Sequence, residues 1–402
     1  MSATKRTWFL YALLGSVALG VAVGFAGGER VAFLGEIGAL VIRLLKALAT
    51  PLVFFAVADA LQKAELPVGQ GVRLLGLCVF NAAVAGTLAV TLAYLVQPGA
   101  GVDPALFVGK GAPPPEMHAA DALSQLIPES VVQPLLTNAV LAVVLLALLT
   151  GAALRRLRRQ GQAETLGKLV EDGFHLLSVV LSYVINLVPL AIFGVIAKMV
   201  GTAGLQPFKS LGMLCVTVAV GLVLHVTIYY SLLVWLFGRI SVLSFWRAAS
   251  DALITALSTG SSMATLPVTL DTLEKRMKVS PQSARLAACI GTNFNNDGIM
   301  LYEVVAAIFI AQAAGIHLDP SQIVVLCATS ALAAAGIAGV PEAGLITLAL
   351  VLSAANLPLA GLPVLLTVDW ILGRLRAATN VASDLTVATV LDRFAPPEPA
   401  KT

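Results

Sequence analysis

The sequence predicts an all-α integral membrane protein of eight transmembrane helices plus two re-entrant helical hairpins. Three observations carry this. Of 402 residues, 58% are hydrophobic and only 12% charged, against about a quarter charged in a soluble domain. Mean hydropathy is +0.92. The apolar residues fall in runs long enough to cross about 30 Å of hydrocarbon, which takes roughly 20 helical residues, and two later runs are broken by Gly, Ser and Pro.

The first span is expected over residues 8–27. It keeps large residues past Gly20 and shows no clear cleavage site, so it reads as a retained helix rather than a signal peptide. The second, 31–61, is too long to stand straight and carries Pro51, which predicts a tilt or kink. The third covers 74–96. A Pro-rich, weakly acidic loop follows, with Pro113, Pro114 and Pro115. The fourth span covers 131–154, the fifth 169–200 with Pro189 inside it, and the sixth 211–237.

The net charge of +3 says little, but its distribution says more. Arg155, Arg156, Arg158 and Arg159 sit between two apolar stretches, and Lys5 and Arg6 precede the first span. The positive-inside bias puts both regions in the cytoplasm and the Pro-rich loop outside. It accounts for the arginines without a nucleic-acid partner. Cys78, Cys215, Cys289 and Cys327 lie in apolar runs with no CxxC, which excludes disulfide and zinc readings.

The last third of the chain is organised differently. Residues 256–267 read ALSTGSSMATLP and residues 334–344 read AAGIAGVPEAG, each with short apolar arms on both sides. Half-length helices meeting at such a tip predict a re-entrant hairpin, tolerated only where it is buried in protein or lines a cavity. Each hairpin precedes a span with polar residues: Asn293, Asn295, Asn296 and Asp297 after the first, and Asp369, Arg376, Asn380 and Asp384 after the second. This is a weak inverted repeat of hairpin and polar helix, a transporter signature.

In the last span the polar residues are spaced by seven, four and four, which puts them on one helical stripe. A charge near the bilayer centre costs about 3 kcal/mol or more, so the stripe must face a protein interior or a polar cavity and reads as an anion and cation site. Asn295-Asn296-Asp297-Gly298 predicts an unwound turn in which Gly298 adopts unusual φ. Unwound carbonyls beside a carboxylate suit a hard cation. Ser258, Thr259, Ser261 and Ser262 bring hydroxyls and helix N-termini that attract an anion. The chain has no G-x-S-x-G and no H-E-x-x-H, so it lacks a hydrolase or zinc-protease signature and is not expected to be an enzyme. His175 and His225 read as packing residues.

At these residues the chain resembles the dicarboxylate/amino acid:cation symporters, the glutamate transporter homologues. Thr265-Leu-Pro-Val268 after the serine-rich tip is similar to the family's first hairpin, and Asn295-Asn-Asp-Gly-Ile-Met-Leu-Tyr-Glu303 resembles its NMDGT-x-LYE motif. Residues 336–344 resemble its second hairpin tip, 373–384 its D-R-x-R-T-x-x-N-V-x-G-D segment, and 43–55 its second span. The resemblance implies a homotrimeric elevator carrier in a cell membrane, the bacterial inner membrane, surrounded by lipid and with both termini cytoplasmic. It implies scaffold helices in 1–72 and 128–207 and an external loop at 98–127. The transport domain would comprise 73–97 and 208–393, with a cytoplasmic tail at 394–402. The second hairpin would be the external gate.

The resemblance also implies roles for single residues. Arg376 would bind the substrate's distal carboxylate and Asn380 would sit at the substrate. Ser261, Ser262 and the backbone of Val340 and Gly344 would be hairpin contacts to it. Asp384, with backbone of Gly291, Asn295 and Asn380, would form one sodium site, and backbone of Asn293, Ala334, Ala335 and Ile337 a second. A third would use Asn295 and Asp297 with hydroxyls from the third span. Matched on Ala89-Val-Thr-Leu92, those hydroxyl positions are Ala82, Ala85 and Gly86, so that site is expected to be absent or weak and its carboxylate prone to take up a proton; a shift of the match by a few residues brings Asn81 or Thr87 into play instead. Gly373, Ala377 and Ile299 stand where the family has the ammonium-binding aspartate and two threonines, and Asn296 stands for its methionine. Without that aspartate the expected substrate lacks an amino group. The reading is a symporter of small carboxylate anions, C4-dicarboxylates first, coupled to sodium, protons or both. An amino acid:sodium symporter and an anion channel are the alternatives. Arg374, off the stripe, is expected to brace the first hairpin tip.

Overall fold

The structure, a computed structural model, describes residues 3–63, 68–102, 127–128, 130–137, 139–334 and 343–394. These are helical, with no strand among the described residues, and form a multi-pass membrane protein. The principal helices are α1 (Ala3–Gly27), α2 (Gly35–Lys63), α3 (Val68–Val96), α4 (Val140–Arg159), α5 (Glu164–Ile185), α6 (Val188–Ala203) and α7 (Gln206–Leu224). They continue with α8 (Val242–Thr259), α9 (Ser262–Asp271), α10 (Asp297–Ala313), α11 (Pro320–Ala334), α12 (Ala343–Ala354) and α13 (Leu362–Arg393).

Length and hydropathy alone mark Tyr11–Lys63, Gly69–Val96 and Pro207–Gly238 as membrane-crossing, with α5 and α6 as a bent pair. The first stretch has 53 residues, about 80 Å of helix. That is too much for one crossing, and Gly28, at φ +53°, turns the chain between α1 and α2. Leu166, Leu169, Leu176, Val179 and Tyr183 of α5 are exposed along one side, an apolar face that suits lipid rather than water.

Several boundaries differ from the sequence reading. The fifth span is two helices bent by 41° at residues 186–187. Pro189 lies at the N-terminus of α6, where its missing N–H costs nothing, so the chain breaks ahead of it. The fourth span is shortened: Gln133–Thr137 is a separate turn of helix, and α4 starts at Val140. The sixth runs on from α7 through two π-helical turns, His225–Tyr230 and Val234–Gly238.

Packing sorts the helices. α1 lies along α6, and α2 packs against α4, α5 and α6. The α1–α6 approach depends on Gly20 and Gly24, where a Cβ would stand 2.9 Å from the Phe193 carbonyl and 2.8 Å from that of Ala197. Small residues four apart are a common device for close helix pairs in lipid. α3, α7, α11, α12 and α13 surround α10. Every residue of α10 except Gln312 is buried, as expected of a helix apolar on all sides. α8 and α9 form the first hairpin and pack on α13, and α11 and α12 pack on each other as arms of the second. The second hairpin tip, with the expected site residues Ala335, Ile337 and Val340, lies outside the described residues.

Candidate functional site

The site forms where the start of α10 meets the middle of α13. A 3-10 turn, Gly291–Asn293, and non-helical residues 295–296 break the chain ahead of α10. The predicted unwinding therefore lies just before Asp297, and Asp297 and Gly298 already belong to the first helical turn. Gly298 is accordingly not the strained turn residue expected. Its φ is not positive, and what its position requires is room. A Cβ there would stand 2.7 Å from the Arg376 carbonyl and 2.9 Å from Asn380 Oδ1. That same Oδ1 accepts a hydrogen bond from the Gly298 amide at 2.9 Å. Gly298→Ala is expected to push α10 off α13 and lower substrate affinity by about tenfold or more, since it breaks a buried hydrogen bond and overpacks the contact. Equilibrium binding by the purified variant checks this.

The polar stripe of α13 is buried as predicted. Arg376 donates from Nη1 and Nη2 to the two carboxylate oxygens of Asp369, at 2.7 and 3.1 Å. Its guanidinium carbon lies 4.2 Å above the Tyr302 ring centroid, an attractive placement for a cation. Gly344 at the start of α12 and Gly373 flank it: a Cβ would stand 2.6 Å from Nη1 at the first and 3.2 Å from Nη2 at the second. The two glycines thus keep space beside the guanidinium fork. Ile299 and Ala377 are buried and bring no hydroxyl.

Asn380 donates to Asn296 Oδ1 at 3.1 Å, and Asn296 donates to the Ala334 carbonyl at 2.8 Å. Asn296 thereby links the end of α11 to α13. The Ala334 carbonyl, expected as a cation ligand, accepts this amide. Of that second set, Asn293 is placed in backbone only.

Asn295 Nδ2 is 3.4 Å from Asp384 Oδ1. Asp297 Oδ2 accepts from Tyr230 and from Ser383, each at 2.7 Å. His225 Nε2 lies 3.6 Å from the same oxygen, and neither ring nitrogen has a hydrogen-bond partner. Asn81 of α3 donates to Asn295 Oδ1 at 3.2 Å and to Ser383 Oγ at 3.3 Å, and it accepts from Tyr229 at 2.7 Å. The residue of α3 that reaches the site is therefore Asn81. Ala85 is buried without a polar side chain, and Gly86 faces Met300 and Cys327.

His225, Tyr230, Ser383 and Tyr302 were not singled out from sequence as site residues. His225 and Tyr230 are five apart and both buried, brought to one side by the π turn of α7. The placement of Ser383 beside Asp384 was the one available signal. The first hairpin tip turns at Gly260, φ +63°. Ser261 spends its hydroxyl on capping α9, accepting from the Ala264 amide at 3.3 Å, and Ser262 opens that helix half-buried. The tip is tied to α13 by Arg374, which donates to the Leu257 and Ser258 carbonyls at 3.3 and 2.9 Å. This is the bracing role expected of it.

Charge is the outstanding property of the site. Asp297, Glu303, Asp369 and Asp384 are all at most 3% exposed, and the one guanidinium among them, Arg376, is 4% exposed. Arg376 is committed to Asp369, and among the described residues no Lys or Arg pairs with Asp297, Glu303 or Asp384. Leaving ionised carboxylates unpaired in a protein interior costs several kcal/mol each, so they need imported cations or protons.

The sequence model of the sodium:dicarboxylate symporter family matches residues 9–394. Excitatory amino acid transporter 2 of Homo sapiens is 40% identical over 223 residues, covering 54% of this chain and 39% of that protein. Excitatory amino acid transporter 1 of Ambystoma tigrinum is 36% identical over 283 residues, covering 69% and 51%. The Homo sapiens excitatory amino acid transporter 1 is 36% identical over 283 residues, covering 69% and 52%. The chain thus spans about half the length of these relatives or less. A match over nearly its whole length nevertheless settles its kinship: the chain belongs to the sodium:dicarboxylate symporter family, whose members are transporters and not enzymes.

Proposed function

We propose that the protein is a sodium-coupled symporter of small carboxylate anions, with C4-dicarboxylates as its preferred substrates. The observation that carries this is the charge imbalance: four buried acids face one buried guanidinium. With all of them ionised the site is short of positive charge, and cations entering with the substrate supply it. Asp384, buried beside the Asn295 side chain and without a paired Lys or Arg among the described residues, is the carboxylate we assign to sodium. Asp297 already accepts hydrogen bonds from the Tyr230 and Ser383 hydroxyls and has His225 beside it, so polar side chains already surround its charge. The substrate's carboxylate takes the guanidinium fork of Arg376, displacing Asp369 from one or both bonds. α3, α7 and the helices around α10 and α13 would move as one body against α1, α2 and α4–α6, in an elevator step within a homotrimer. The second hairpin would open and close the site.

The relatives favour an amino acid over a C4-dicarboxylate, because those at 36–43% identity are named as amino acid transporters. One feature of the site fits that second reading: Asp369, once released by Arg376, could receive an ammonium. Against it stands Gly373, which brings no carboxylate to the far side of the fork. Uptake into proteoliposomes from a panel of succinate, malate, fumarate, aspartate and glutamate decides between them. The proposal expects saturable succinate uptake and little aspartate uptake; the reverse order supports the amino acid reading. Gly373→Asp is expected to lower succinate affinity by about tenfold or more, because its carboxylate competes for Arg376, and to raise aspartate uptake.

A further inference from the structure

A cavity of about 410 Å³ opens at the ends of α2 and α4, away from the site above, lined by Leu61, Ala152, Arg155, Arg156, Arg159 and Gln160. Ala152, Arg155, Arg156 and Arg159 recur at helical spacing, so they share one face of α4. Arg158 lies off that face and runs beside Gly167 of α5, where a Cβ would meet its Cδ at 3.1 Å. Leu149, a further turn inward on the cavity's own face, is exposed. The face is therefore apolar toward the centre of the helix and cationic at its end.

Arg156 and Arg159 are exposed and make no ion pair among the described residues. The nearby acids are taken: Lys63 holds Asp59 at 2.8 Å and Glu171 at 3.0 Å. The cavity has a built floor, because Gly151 lets α4 close on α2, where a Cβ would stand 2.8 Å from the Ala58 carbonyl and 2.9 Å from Leu61 Cβ. Positive-inside bias explains arginines at a helix end, and so does the negative end of the helix dipole. Neither explains why they gather around a cavity while Arg158 turns away.

We propose that this cavity binds the phosphate headgroup of an anionic phospholipid, with an acyl chain lying along Leu149 and Ala152. Guanidinium forks suit phosphate oxygens, and basic pockets between helix ends are suited to anionic lipid headgroups. The apolar continuation of the face favours a lipid over a free phosphate.

Native mass spectrometry of the full chain, given phosphatidylglycerol or phosphatidylcholine with identical acyl chains, tests this. The unmodified protein is expected to retain one phosphatidylglycerol under activation that strips phosphatidylcholine. Removing both guanidiniums in Arg156→Gln/Arg159→Gln is expected to weaken that binding about thirtyfold, roughly fivefold for each. Arg158→Gln removes a charge from the same helix end and should leave it nearly unchanged. Equal retention of the two lipids overturns the proposal, as does an equal loss in Arg158→Gln. Displacement of the lipid by millimolar inorganic phosphate also overturns it, since the site would then recognise a free anion. Should the double variant not fold, the lipid comparison on unmodified protein and on Arg158→Gln still decides.

Discussion

Arg376→Ala is expected to abolish substrate binding, with Kd rising at least about a hundredfold. Arg376 is the only basic side chain in the buried stripe of α13, and its guanidinium lies over the Tyr302 ring and makes two bonds to Asp369. Truncating one member of such a pair costs about 3–5 kcal/mol, because the partner is left buried and unpaired. Part of that cost falls on the fold, so the variant should be paired with Arg376→Ala/Asp369→Asn, which leaves no orphan carboxylate. Folding should recover in the double variant and binding should not. Arg376→Lys keeps the charge but loses the planar fork and the stacking on Tyr302, so affinity should still fall by about tenfold or more. Isothermal titration with the preferred acid measures all three. Unchanged affinity in the double variant would remove Arg376 from the substrate site.

Asp384→Asn is expected to have the second large effect, of opposite sign on stability with and without sodium. Without sodium the wild-type carboxylate is buried, with the Asn295 amide 3.4 Å away and no Lys or Arg paired with it among the described residues. Neutralising it relieves a buried charge, so thermal stability in sodium-free buffer should rise by a few °C, about 1 kcal/mol or more. Sodium binds the native wild type and stabilises it by mass action. The variant should lose that gain, with sodium affinity down about a hundredfold. Melting curves with sodium or choline chloride separate the two effects. A variant that still gains as much stability from sodium as the wild type would place the cation elsewhere.

The sequence revealed the site where chemistry stood out from its surroundings. Asp369, Arg376, Asn380 and Asp384 are conspicuous because each charge in an apolar span is costly, and their spacing alone put them on one face. The hairpins were legible from Gly, Ser and Pro interrupting apolar runs. Residues whose role depends on a distant partner were not. Asn81 is reached from the sequence only by shifting the match of the third span, and its contact with Ser383, 302 positions away, forms only in the fold. His225 looks like any packed membrane histidine until Asp297 is brought beside it. The Asn-Asp-Gly pattern points to backbone freedom at Gly298, but its actual constraint is the approach of Arg376 and Asn380 from another helix. Asn296, a departure from the family motif, gained a meaning only when its amide was seen bridging Ala334 and Asn380. The break between α5 and α6 is hidden in the sequence because a proline in an unbroken apolar run fits a kink inside one helix as well as the start of a second.

Carboxylate binding at Arg376 and cation binding at the unpaired acids are expected to be one linked event. Linkage makes a firm demand: if sodium tightens substrate binding, substrate must tighten sodium binding by the same factor. The decisive measurement is the substrate Kd of purified protein over about a hundredfold range of sodium activity, at constant ionic strength and pH. Kd should fall at least in proportion to sodium, and Asp384→Asn should flatten this dependence. A Kd independent of sodium at every pH tested would contradict it.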